Sequence, residues 1–65
     1  MKVKSLYNLA IKSKDNITIY TFEKGRIYDA VWKGQDILIR IETLRLLRFT
    51  DMDVFNENFK ILGNA

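Results

Sequence analysis

Three arginines, Arg40, Arg45 and Arg48, lie close together in a stretch that is otherwise mostly aliphatic. A guanidinium fork grips phosphates, so these residues invite a nucleic-acid reading. Trp32, Tyr20 and Tyr28 offer rings on which bases could stack. The plainer reading is that the arginines solubilise an outer sheet face and cover apolar neighbours with their stems. The acidic residues point elsewhere. Asp51, Asp53 and Glu57 resemble the start of a calcium loop, but such a loop needs Gly at its sixth position and Glu at its twelfth. This chain has Asn56 and Leu62 there, so the carboxylates read as helix-capping groups and no metal is expected.

Catalysis has little to work with. Histidine and cysteine are both absent, which removes the usual base at neutral pH and the usual soft nucleophile. Ser5 and Ser13 sit in no nucleophile elbow. Gly25, Gly34 and Gly63 are too scattered to form a phosphate-cradling loop. The chain reads as non-enzymatic, with no cofactor and no small-molecule substrate. Its net charge of +3, from eleven Lys and Arg against eight Asp and Glu, is mild and mixed in sign along the chain. Nucleic-acid modules concentrate more charge on one face, so a protein partner, a second copy of the chain included, ranks ahead of nucleic acid.

The elements that must position these groups are mostly strands. A first strand is expected over about 2–11, and Lys12-Ser13-Lys14-Asp15-Asn16 forms a polar turn with two residues that tolerate left-handed backbone. A second strand spans about 17–22, and Glu23-Lys24-Gly25 reverses the chain. The third strand runs from Arg26 to Lys33. Lys33-Gly34-Gln35-Asp36 is the clearest hairpin signal, and a fourth strand, Ile37 to Ile41, leaves it. Glu42-Thr43-Leu44 lacks the residues of a tight turn, and Ile37, Ile41, Leu44 and Leu47 fall at helical spacing. A helix over about 42–49 therefore competes with a fifth strand ending at Phe49. After it, Thr50 or Asp51 caps a helical turn near residues 51–57, with Asp53 at its positive end. Met52, Phe55 and Phe59 recur on one side of that turn to plug the core. A short closing strand, Phe59 to Leu62, completes the pattern before Gly63-Asn64-Ala65 frays.

Several of these strands are apolar on both faces. Tyr28, Ala30 and Trp32 make the better core face of the third strand, against Ile27, Asp29, Val31 and Lys33. Ile37, Ile39 and Ile41 line one side of the fourth, against Leu38 and Arg40. In the fifth, Leu47 and Phe49 share a side with Arg45, and Leu44, Leu46 and Arg48 lie opposite. A chain of 65 residues is one small domain with a single interior. Ile27, Val31, Leu38, Leu44 and Leu46 are thus expected on an outer apolar patch, rimmed by Arg40, Arg45 and Arg48. Patches of this composition are contact surfaces, unless a loop or terminal strand covers them.

The stretch Phe22-Glu23-Lys24-Gly25-Arg26-Ile27-Tyr28-Asp29-Ala30, then a hairpin, an aromatic-ended strand at Phe49, and Phe55 and Phe59 around a helical turn, resembles small free-standing Src-homology-3-like barrel proteins of bacteriophages and bacteria. In that group a Lys-Gly-basic-apolar-Tyr segment opens the central strand, and a Phe after a short turn closes the barrel. The likeness covers about residues 2–62. It departs at 42–45, where such proteins often carry Gly or Asp. It implies a mostly β, five- to six-stranded barrel with one short helical turn, acting as a binding module. A phage or mobile-element protein that binds and inhibits a host or defence factor is its sharpest form.

Composition sets the remaining expectations. The apolar fraction of 48% and eight aromatic residues supply a core for one domain spanning 1–65. Without cysteine, disulfides cannot reinforce it, which fits a reducing cytoplasm, the host's if the chain is phage-encoded. Asn8, Lys12, Ser13 and Lys14 interrupt any signal-peptide core, and no run approaches the ~20 apolar residues of a membrane span. No membrane association is expected.

Overall fold

A computed structural model of the chain describes residues 1–63: Gly63, expected to fray, instead ends the last strand, and the expected fraying of Asn64 and Ala65 lies outside the described residues. Seven strands and one short helix follow in the order β1 (Lys2–Ser5), β2 (Leu9–Lys12), β3 (Thr18–Phe22), β4 (Ile27–Lys33), β5 (Asp36–Glu42), β6 (Arg45–Phe49), α1 (Met52–Asn58) and β7 (Phe59–Gly63). Five strands form an antiparallel sheet in the order β6-β5-β4-β1-β7, and β2 and β3 pair as a separate ribbon. The fold is mostly β with one short helix. No closed barrel is found among the described residues. No helix among them is long and apolar enough to cross a membrane.

The long first strand expected over 2–11 is two strands in different sheets. The chain leaves the main sheet at Ser5, which is fully buried and anchors the departure. Its Oγ–H donates to the Tyr7 carbonyl at 2.7 Å, while the Leu6 amide donates to the Asn58 carbonyl at 2.8 Å. Asn8 then accepts from the Lys24 amide at 2.9 Å. These bonds satisfy the backbone of a bend that contains neither Gly nor Pro. The turn after β2 uses Asn16 in the left-handed region (φ 64°), where an Asn side chain is tolerated.

Residues 42–49 are a hairpin and a strand, not a helix. Neither Thr43 nor Leu44 has positive φ, so the two-residue hairpin turns that need it are excluded. The register instead shifts between Arg40 and Glu42, where Arg40 opposes Leu46 but Glu42 opposes Arg45. An extra residue on β5 thus turns the chain without Gly or Asp. Side chains stitch the reversal: Arg40 Nη1 donates to the Thr43 carbonyl at 3.2 Å and Arg45 Nη1 to Glu42 Oε1 at 3.3 Å.

The core mixes aromatic and aliphatic side chains. Val3, Ala30, Ile37, Ile39 and Ile41 are buried beside Phe22, Tyr28, Phe49, Phe55 and Phe59. Phe22 meets Tyr28 and Phe59 edge to face, with ring centroids 4.9 Å and 5.0 Å apart, arrangements that add to the stabilisation from burial alone. Helix α1 reaches this cluster because Asp51 caps it: its Oδ1 accepts from the amides of Asp53 and Val54 at 3.0 Å and 3.3 Å. The cap places Phe55 in the interior with Met52 packed at its edge, and Phe59 follows at the start of β7. Trp32 departs from its expected core position. It lies on the inward side of β4 but at the hairpin end, where its ring remains 53% exposed.

Candidate functional site

The outward side of the main sheet collects most of the residues expected at an interface. Alternation along β4 puts Ile27, Asp29 and Val31 outward, because Tyr28 and Ala30 are buried. Val31 directly opposes Leu38 on β5, Leu38 opposes Arg48 on β6, and Arg40 opposes Leu46. Ile27, Val31 and Leu46 are each just over half exposed, Leu44 at the hairpin tip is 94% exposed, and Leu38 is half-buried between its neighbours. On β6 the ambiguous alternation resolves with Phe49 buried and Leu47 half-buried inward, and Leu46 and Arg48 outward. Arg45 stands at the rim beside the turn, tied to Glu42.

A cleft of about 100 Å³ opens in the middle of this face, walled by Val31, Leu38 and Leu46 and bordered by Asp29, Ala30 and Arg40. A wider, more polar hollow of about 310 Å³ adjoins it, with Asp29 and Arg40 shared between the two and Arg26, Ile27, Glu42 and Thr43 also lining it. Arg40 is thus the hinge of the surface, flanked by apolar walls on one side and backbone and polar groups on the other.

The arginines differ in how far the fold already occupies them. Arg48 Nε lies 3.5 Å from Asp36 Oδ2 and Arg45 Nη1 3.3 Å from Glu42 Oε1. Arg40 has no carboxylate within salt-bridge distance among the described residues and donates only to a carbonyl. Asp29, which borders both hollows with Arg40, is held by Lys2. The Lys2 hydrogen bond, and then its charge, keep the Asp29 carboxyl below its ordinary range, with a smaller pull in the same direction from Arg40.

Lys2, Lys4, Asp29 and Lys60 also belong to this surface, and the sequence reading overlooked them as site residues. Lys2 opposes Asp29 and Lys4 opposes Ile27 across β1 and β4, and Lys4 also opposes Lys60 across β1 and β7. The signal was present in Lys2-Val3-Lys4-Ser5, whose strict alternation puts both lysines opposite the buried Val3 and Ser5. The rings considered as stacking platforms are not on this face. Tyr28 is buried, with the Arg26 guanidinium 5.2 Å from its ring centre. Tyr20 packs against the core and donates to the Tyr28 hydroxyl at 3.3 Å, and Trp32 lies on the opposite side of β4. Asp51 of the acidic group is engaged as the helix cap, and among the described residues no cluster of three or more His, Cys, Asp or Glu could hold a metal ion. No protein-family model matches the chain, and neither a curated protein nor a solved structure matches it.

Proposed function

We propose that the chain is a non-catalytic protein-binding module, a small Src-homology-3-like barrel whose docking surface is the outward face of β4, β5 and β6. The barrel reading is supported by the antiparallel run β4-β5-β6, the helical turn after it, and the return of β7 to β1. Lys24-Gly25-Arg26-Ile27-Tyr28 leads into β4, as the resemblance requires. The docking reading is carried by one observation: Ile27, Val31, Leu44 and Leu46 stay half or more exposed around a cleft, while other residues already fill the core. An apolar surface of this kind, rimmed by arginines, has the composition of a contact patch. The narrower reading, a phage or mobile-element protein that inhibits a host or defence factor, adds the resemblance and the small size to that surface.

The test is affinity capture from a cell lysate followed by mass spectrometry, run side by side with the wild-type chain and Leu46→Asp. The charge introduced on the wall of the cleft should abolish capture while the melting temperature changes by no more than a few degrees. Capture of the same proteins in the same amounts by both would contradict the reading.

A further inference from the structure

The charges of the docking face are unbalanced, and the imbalance selects a partner. Resting on the docking reading above, we infer that the surface takes an acidic polypeptide segment that seats one apolar side chain in the Val31–Leu38–Leu46 cleft and a carboxylate on Arg40.

The face and its rim carry Lys2, Lys4, Lys33, Arg40, Arg45, Arg48 and Lys60 against Asp29, Asp36 and Glu42. All three acids are already engaged, Asp29 by Lys2, Asp36 by Arg48 and Glu42 by Arg45. Arg40, Lys4 and Lys60 have no carboxylate within salt-bridge distance among the described residues. Lys4 and Lys60 also stand directly opposite one another on β1 and β7, a like-charge pairing that destabilises a sheet until something neutralises it. A second copy of the chain would bring the same cations face to face, so charge complementarity disfavours a homodimer through this surface.

The cleft sets the other half of the recognition. An apolar cavity of about 150 Å³ is large enough to hold benzene, and at about 100 Å³ this one fits a single aliphatic side chain. Arg40 borders both the cleft and the wider hollow, so a segment with an acidic residue next to an apolar one satisfies both at once. The guanidinium fork adds bidentate geometry to its charge. Nucleic acid would use the same cations, but the described residues place no exposed aromatic ring on this face for bases to stack on, and two of its three arginines are already paired.

The experiment pans a displayed library of random twelve-residue peptides against the intact protein. Enriched peptides are then titrated by fluorescence anisotropy against wild type, Arg40→Gln, Arg40→Glu, Leu46→Asp and the off-face control Lys14→Gln in the exposed β2–β3 turn, with oligothymidylate as a second probe. Enriched sequences should pair Asp or Glu with a neighbouring Leu, Ile, Met or Phe. Their affinity should fall about tenfold or more in Arg40→Gln, the loss expected for one charge-assisted hydrogen bond. It should fall further in Arg40→Glu, and Lys14→Gln should change nothing. Enriched peptides without acidic residues that still lose binding in Leu46→Asp would overturn the acidic partner and leave the docking face standing. Peptides that bind Leu46→Asp undiminished, or a library that enriches nothing, would overturn both. Tighter binding of oligothymidylate than of any peptide would replace the protein partner with nucleic acid.

Discussion

The two sides of strand β5 carry similar residue types and meet opposite fates. Ile37 and Ile39 are wholly buried and Ile41 nearly so, while one position away Leu38 is half-buried beside cleft walls that are themselves half exposed, and Arg40 faces solvent. Because side chains alternate strictly along a strand, the fold needs only one of these faces. The contrast teaches that hydrophobicity by itself does not mark the interior of a chain this short. The inward face is filled by four phenylalanines and three isoleucines in mutual contact, and the outward aliphatic residues are left over from that packing. In the proposed function they are the surface that a partner covers.

The sharpest way to break this contrast is to remove side chains from each face in turn. Phe55→Ala removes a fully buried ring that packs on Phe49 and Phe59 and should destabilise by about 3–5 kcal/mol. A single small core rarely supplies more than about 3–5 kcal/mol in total, so the variant should be largely unfolded at room temperature, as circular dichroism would show. Ile39→Ala should follow at about 2–5 kcal/mol, read from the urea midpoint. Asp51→Ala leaves the first amides of α1 without their acceptor and should cost about 1 kcal/mol, a drop of about 4–8 °C in Tm for a domain of this size. On the outward face, Leu46→Ser should stay within about 0.5 kcal/mol of wild type. A loss at Leu46 as large as that at Ile39 would erase the distinction between the faces.

A titration sharpens the same comparison from the core side. Burial first, and then the hydrogen bond to Tyr28, push the Tyr20 hydroxyl from its ordinary 10.0 up to about 12. The folded state therefore holds a proton that the unfolded chain gives up sooner. Stability from this group is complete below pH 10 and is lost as pH rises towards 12. Urea midpoints across that window should decline in wild type and decline less steeply in Tyr20→Phe. An identical alkaline decline in both would remove Tyr20 from the account.

Much of this architecture is legible in the residues, and the exceptions have physical causes. The strict alternation of Ile37, Ile39 and Ile41 sets the inward face of β5, and Lys33-Gly34-Gln35-Asp36 marks its hairpin as drawn. Asp51 announces the cap, and Met52, Phe55 and Phe59 announce the side that packs. The break between β1 and β2 is not legible, because it depends on Ser5 and Asn8 meeting backbone groups of residues distant in sequence. The hairpin at Thr43-Leu44 carries no turn residues because a register shift on β5 replaces them. Trp32 misleads for a different reason: alternation assigns its side, but its position at the end of β4 decides its exposure. Of the candidate surface, the apolar residues were visible in the two-faced strands. The alternation of Lys2 and Lys4 with Val3 and Ser5 was visible too, but that these lysines and Lys60 share this surface follows only from strand pairing across the sheet.

The most direct test of the central claim is the broadening of methyl NMR signals by an inert, soluble gadolinium chelate, recorded on the free protein and again with its captured partner. In the free chain, the methyls of Ile27, Val31, Leu44 and Leu46 should broaden strongly and those of Ile37 and Ile39 should not. With the partner bound, the outward set should become protected as well. Equal protection of both sets in the dilute, unpartnered chain would contradict an apolar face left open for docking.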